Sequence, residues 1–99
     1  MLRLVERLFG DGEICEQGIL LARAGYMLAV YRDWQQQDDD LVAGDYVIEG
    51  HLMADPETLA RLVAPITPRE LLLDDGRRLP ILIVSADGAI MNVEGETFR

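Results

Sequence analysis

The alternation of apolar and polar residues is clearest in the last third of the chain, where two Asp-Gly pairs separate three apolar runs. Asp-Gly between apolar runs is a strong hairpin signal, because glycine readily adopts the positive φ that a two-residue type I′ turn requires. The pairs Asp75-Gly76 and Asp87-Gly88 therefore predict two turns that join three antiparallel strands. The middle run, residues 81–84, is apolar at every position, which predicts a strand covered on both faces of a closed or two-layered β structure.

The first half of the chain shows a weaker alternation that predicts three more strands. These strands cover residues 13–23, 26–34 and 45–53. Turn signals at Gly10-Asp11-Gly12 and Ala24-Gly25 bound the first of them, and Gly18 interrupts its alternation as a β-bulge would. The polar residues 35–44 predict an exposed loop with little order.

Residues 2–9 fit two patterns. Leu2, Val5 and Leu8 form a helical stripe, whereas Leu2 and Leu4 fit a strand that Glu6 interrupts. We favour a short N-terminal helix that ends at residue 10 and lies over one end of the core, and we keep a strand as the alternative.

Residues 55–65 carry the start and stop signals of one helix. Asp55 can cap the helix, Pro56 suits its first position, and Pro65 ends it. Leu59 and Leu62 belong to an apolar stripe on one side of the helix. The helix is short, so only packing against the rest of the protein can hold it in place.

Together these elements predict a mainly β fold of the β-rich α+β class. A chain of 99 residues is expected to form a single domain, residues 1–99. Six antiparallel strands, several of them apolar on both faces, predict a small barrel or sandwich with one short central helix and the N-terminal helix described above. A homodimer, in which the second apolar face meets another copy, is the alternative cover for such strands.

Charge narrows the classes of partner. The formal net charge is −9, and all nine basic residues are arginine. An acidic chain argues against nucleic acid, because phosphate binding relies on a surplus of basic residues. No apolar run approaches the roughly 18 residues of a membrane span, and the charged N-terminal stretch lacks the apolar region of a secretory signal. The single Cys15 allows no internal disulfide, so we expect a cytoplasmic, acidic protein without a membrane partner.

Few residues could carry chemistry. Cys15 and His51 are the only cysteine and histidine, and a pair between them is the sharpest enzymatic hypothesis, but neither lies in a nucleophile or zinc motif. Asp38, Asp39 and Asp40 are consecutive, so they lack the alternating spacing of a calcium loop. No glycine-rich phosphate loop is present. We therefore expect no catalytic residue, no metal and no cofactor, in a protein that is not an enzyme.

The strand pattern offers more apolar surface than one small core needs, which favours a binding role. The expected function is a non-enzymatic protein–protein interaction or self-assembly module whose partner is another protein or a second copy. Its contact surface would be the strand face of Met27, Ala29 and Tyr31. Trp34 is a further candidate, because it ends its strand beside a polar loop and a half-exposed indole is typical of binding hot spots.

Arg77 and Arg78 follow the first Asp-Gly turn. Arginine suits bidentate recognition of carboxylate or phosphate, so both are candidate partner contacts. In the alternative function, a small-ligand-binding β-barrel, they would line the mouth of the cavity together with aromatic residues. The simpler interpretation is pairing with Asp74 or Glu70 at the end of the hairpin.

Overall fold

The computed structural model describes residues 1–99 and shows six antiparallel strands and one helix. The elements are β1 (Leu2–Glu16), β2 (Ile19–Gln37), β3 (Asp40–Met53), α1 (Pro56–Val63), β4 (Arg69–Leu72), β5 (Arg78–Ile83) and β6 (Ala89–Asn92). The strands hydrogen-bond in the order β1-β2-β3-β6-β5-β4, and β4 pairs with β1 to close a barrel. The predicted fold class, a six-stranded antiparallel β structure with one short helix, is confirmed.

Apolar side chains fill the inside of the barrel. Ile14, Leu71, Leu79 and Ile81 are fully buried, and Tyr26 is 1% exposed. Two leucines of α1 join the same cluster. The interior is therefore a packed core, as the small radius of a six-stranded ring requires.

The first three strands are much longer than the last three, at 15, 19 and 14 residues against 4, 6 and 4. β4 pairs with residues 13–15 of β1, and β6 pairs with residues 49–51 of β3. Beyond those pairs the first three strands continue as an arm, formed by residues 2–9, 27–37 and 40–48, which has three strands as far as Asp33 of β2 and two strands from there to its tip. The arm gives the molecule its elongated shape of 50 × 26 × 23 Å.

Residues 2–9 form a strand of the arm, so the predicted N-terminal helix is wrong. Leu4 lies opposite Tyr31 of β2 and Glu6 lies opposite Val30, which leaves Val5 as the extra residue of a β-bulge. The bulge shifts the alternation by one position. Apolar side chains therefore recur on either side of it at a spacing that resembles a helical stripe.

The glycine-containing stretches at residues 10–12 and 24–25 lie inside the β1–β2 hairpin, so the turns predicted there are wrong. Asp11 pairs with Gly25, and Gly12 pairs with Ala24. Gly12 serves close packing instead, because a Cβ atom there would lie 2.6 Å from the carbonyl oxygen of Leu72.

The long strands reverse at two tight turns. β1 and β2 are joined at Gln17 and Gly18, whose φ angles of 50° and 79° make a turn where the alternation predicts a bulge. β2 and β3 are joined at Asp38 and Asp39, so the loop predicted over residues 35–44 is wrong apart from this turn. Polar residues can pair here because the arm leaves the core, and cross-strand hydrogen bonds form without an apolar face.

β4, β5 and β6 form the predicted C-terminal meander, with reversals at both Asp-Gly pairs. Only the glycines have positive φ, 90° at Gly76 and 96° at Gly88. The Gly76 N–H donates to the Leu73 carbonyl at 3.1 Å, and the Leu73 N–H donates to the Arg77 carbonyl at 2.8 Å. This pattern fits a type I turn followed by a glycine bulge, and the predicted two-residue type I′ turn is wrong.

The middle strand of this meander, β5, is covered on one face only. Ile81 and Ile83 point into the barrel and are 0% and 2% exposed. Leu82 is half-buried, and Val84, just past the strand, is 43% exposed. The prediction of cover on both faces is wrong for the outer side, because closing the ring covers only the inner side.

α1 begins and ends where the sequence predicts. The Asp55 carboxylate accepts a hydrogen bond from the Thr58 N–H at 2.9 Å, as a helix cap does. Beyond the other end, the buried Arg69 donates to the Leu62 carbonyl at 3.0 Å and pairs with Glu16 at 3.0 Å. These bonds tie the helix to β4 and β1. α1 has eight residues, and no helix in the structure combines the length and apolar character needed to cross a membrane.

Candidate interaction surface

One surface of the sheet is built from the β2 positions that alternate with its buried ones. Met27, Ala29 and Tyr31 alternate with buried residues, so they point away from the core. Met27 lies opposite Phe9 of β1 and His51 of β3. Directly opposed residues of antiparallel strands share a face. Phe9, Met27 and His51 therefore form one row across three strands.

A parallel row lies two residues farther along β2. Ala29 lies opposite Arg7 of β1 and Glu49 of β3. Glu49 in turn lies opposite Met91 of β6. The row thus places a small apolar side chain between a cation and an anion, and it continues onto β6.

We call this surface the outer face. Its apolar members are Phe9, Met27, Ala29, Tyr31, Val84 and Met91. Phe9 is 65% exposed, and Met27, Val84 and Met91 are 43%, 43% and 45% exposed. Together they line an open groove of about 620 Å³. Several large apolar side chains on neighbouring strands therefore meet solvent as one patch.

The charges of the outer face are balanced. Arg7 and Glu49 are exposed, and neither forms a salt bridge within the chain. At the rim, a hydrogen bond from the Ser85 hydroxyl lowers the pKa of the Asp87 carboxyl, and the nearby His51 adds to that effect. The apolar rows themselves carry one cation and one anion, in a chain whose net charge is −9.

Three of the five predicted contact residues lie on the arm. Met27 and Tyr31 are both on the outer face. Trp34 lies farther toward the tip, opposite Ala43, and is half-buried. The structure therefore brings Met27 and Tyr31 together and leaves Trp34 outside the groove.

The other two, Arg77 and Arg78, lie at the β4–β5 turn, and both are already paired. Arg77 bridges Glu6 at 3.2 Å and Asp75 at 2.8 Å. Arg78 bridges Glu70 of the neighbouring strand at 3.2 Å. The simpler interpretation, pairing at the end of the hairpin, therefore describes Arg78, and neither arginine lines the groove of the outer face.

Comparison with known proteins adds no indication of function. No family model, no curated protein and no solved structure matches the chain. Any assignment must therefore come from the surface chemistry of the chain itself.

Cys15 and His51 are not brought together. His51 shares a row with Phe9 of β1, and Cys15 lies six residues beyond Phe9, which is about 20 Å along an extended strand. Cys15 is opposite Glu70 of β4 instead. No group of three or more histidine, cysteine, aspartate or glutamate side chains is placed to hold a metal ion.

Sequence reasoning missed Phe9, Arg7 and Glu49 as parts of the surface. The helix predicted for residues 2–9 removed Phe9 and Arg7 from consideration as strand residues. The alignment of Phe9 with Met27 and of Arg7 with Ala29 depends on a bulge at Leu21 of β2, where the sequence has no glycine or proline signal. Strand alternation in residues 45–53 does place Glu49 on a partly exposed face of its strand, but it does not align Glu49 with Ala29.

Proposed function

We propose that the chain is a protein-interaction module that binds its partner through the outer face. The observation that supports this most is the contiguous exposed apolar patch on strands already fixed by pairing. Single exposed apolar residues are ordinary on protein surfaces, but contiguous apolar patches mark contact surfaces.

Burial of the outer face would supply useful binding free energy. Fully burying a phenylalanine or methionine side chain contributes about 1.5–3 kcal/mol. Phe9, Met27 and Met91 are roughly half exposed, so each would add on the order of 1 kcal/mol. Because paired strands hold these side chains, association has little backbone to order, which lowers its entropic cost.

A photo-crosslinking amino acid in place of Met27 tests the proposal. In the native cells, we expect illumination to give one dominant covalent adduct with a protein. The matched control carries the same amino acid in place of Ile66, which is 63% exposed and lies outside the outer face. Circular dichroism establishes that both variants fold. Absence of an adduct at Met27, or equal adducts at both positions, would contradict the proposal.

The groove also supports a second candidate, the binding of a small apolar ligand. Its volume of about 620 Å³ lies within the ~300–1,000 Å³ typical of ligand pockets. Because the barrel interior is packed, such a ligand would bind on the outer face. A thermal-shift screen would then find compounds that raise the melting temperature of the wild type and not of Met27→Asp. A screen without such compounds would reject this candidate.

A further inference from the structure

We propose that the occupant of the outer face is a second copy of the chain, docked face to face as a two-fold symmetric dimer. This inference rests on the proposed function and adds the identity and orientation of the partner. The two outer faces would form the inside of a sandwich, with the sheets about 10 Å apart.

The charges of one row select a single symmetry axis. Arg7 and Glu49 lie on either side of Ala29, on the two neighbours of β2. A two-fold axis parallel to β2 places β1 of one copy over β3 of the other, so Arg7 meets the partner's Glu49 at both ends of the row. An axis perpendicular to β2 would place each charge over its own copy, and like charges oppose that arrangement.

Apolar side chains lie along the same axis. Ala29 of β2 is on the axis and meets its own copy. Met27 and Tyr31 also meet their own copies along this line, so apolar side chains cover apolar side chains. The outer face therefore meets itself with apolar side chains along its centre and with opposite charges at its sides.

The available area is that of a small interface. Within the arm, all three strands are present only alongside residues 27–33 of β2, which extend over about 23 Å, and three strands are about 14 Å wide, so the face projects roughly 320 Å². This is below the ~800 Å² per partner of a standard complex, so we expect a reversible dimer whose dissociation can be measured. Exposed glutamines near the tip of the arm would supply the polar rim.

The balanced charge of the outer face favours a second copy of the chain, and not a basic protein, as its occupant. A chain of net charge −9 attracts basic partners in general. The outer face, however, presents one arginine and one glutamate, and it offers a basic surface no more attraction than the rest of the molecule does. The pattern instead pairs each of its charges when it meets itself.

Charge reversal across the proposed axis tests the inference. Sedimentation velocity and light scattering measure the monomer–dimer equilibrium of the purified full chain, and we expect a dimer. Arg7→Glu or Glu49→Arg alone places like charges at both ends of the row, which should weaken dimerisation about tenfold or more. The combined variant exchanges the charges and should recover a dissociation constant within about threefold of the wild type.

Arg3→Glu is the matched control, because Arg3 is an exposed arginine of the same strand β1 that lies opposite Arg32 and so points away from the outer face, and the substitution changes the net charge equally. We expect it to leave the dimer unchanged. A chain that stays monomeric, a dimer that resists both single reversals, or a combined variant that does not recover each overturns the inference. If a monomeric chain still crosslinks from Met27 to a different protein, the proposed function stands and the identity of the partner is wrong.

Discussion

Replacement of Tyr26 by phenylalanine removes one hydroxyl from the barrel core and leaves the packing in place. Tyr26 is 1% exposed. Its hydroxyl donates to the Asp74 carboxylate at 2.9 Å and accepts from the Asp74 N–H at 3.3 Å. The variant therefore isolates these two hydrogen bonds between β2 and the β4–β5 turn.

The expected loss of stability follows from those bonds. A hydrogen bond contributes about 0.5–1.5 kcal/mol net, and one to a charged group contributes about 1.5–3 kcal/mol. Asp74 is exposed and can bind water once the hydroxyl is gone, so we expect Tyr26→Phe to lose about 1.5 kcal/mol in total. For a chain of this length that loss lowers the melting temperature by about 6–12 °C.

The same hydroxyl makes stability depend on alkaline pH. Burial raises the pKa of Tyr26 above its usual value of 10.0. The folded chain then holds the phenolic proton more tightly than the unfolded chain, so this stabilisation is complete below about pH 10 and is lost as the pH rises through the folded pKa. Few other groups titrate in this range because the chain has no lysine. Since Tyr26→Phe lacks this loss, its deficit relative to the wild type should shrink above about pH 10.

Urea unfolding followed by circular dichroism, from neutral pH to about pH 11, measures both effects. Tyr31→Phe is the matched control, because that half-buried tyrosine lies on the outer face and not in the core. Equal stability of Tyr26→Phe and wild type at neutral pH would refute the hydrogen-bond argument. A deficit that stays constant or grows with pH would refute the argument from burial.

Substitutions at Gly50 and Leu71 test the packing, and substitutions at Asp55 test the helix cap. Gly50→Ala should strongly destabilise the fold, because its Cβ would collide with the carbonyl oxygen of Met27, and calorimetry should show the largest drop in melting temperature of the set. Leu71 is fully buried, so Leu71→Ala should lower the free energy of unfolding in urea by about 2–5 kcal/mol. Ile66 is 63% exposed, so the control Ile66→Ala should stay within about 0.5 kcal/mol of the wild type. Equal losses from the two substitutions would contradict the core as described. Asp55→Ala should lower the far-ultraviolet helical signal and the melting temperature, because it removes the cap of α1. Asp55→Asn should retain most of both, because asparagine can still cap the helix. Equal losses in the two variants would count against the cap.

Local signals in the sequence were sufficient for α1 and for the C-terminal meander. The cap at Asp55 and the proline after it act within a few residues, and Gly76 and Gly88 reverse the chain where a positive φ is needed. The type of turn was not predictable in the same way. Whether one or both central residues have positive φ depends on how the flanking strands align.

The arm was mispredicted because its structure depends on distant partners. Glycine and aspartate at residues 10–12 are typical of turns, yet Asp11 and Gly12 pair with β2 and Gly12 packs beneath Leu72. The polar residue Gln35 lies in a strand because it faces Val42 across a hairpin, and no core requires it to be apolar. Strand pairing outside the core requires no alternation of apolar and polar residues, so the sequence pattern does not reveal it.

The candidate surface was predictable in part. Met27, Ala29 and Tyr31 follow from the alternation in residues 26–34. The flanking charges Arg7 and Glu49 do not, because one register shift in the β1–β2 pair and another in the β2–β3 pair set their alignment with Ala29. A surface formed from several strands needs the register of every strand, which one sequence does not specify.

The closure of the ring has a consequence for whatever occupies the outer face. Two seams of three residue pairs each join the long meander to the short one, between β1 and β4 and between β3 and β6. The second seam runs through the outer face, where Glu49 lies beside Met91. An occupant bound across that seam would stabilise the pairing of β3 with β6, because opening the seam would require the occupant to dissociate. Binding to the outer face would therefore be linked to the stability of the fold. Slower amide exchange along β3 and β6 would then report occupancy without any knowledge of the occupant.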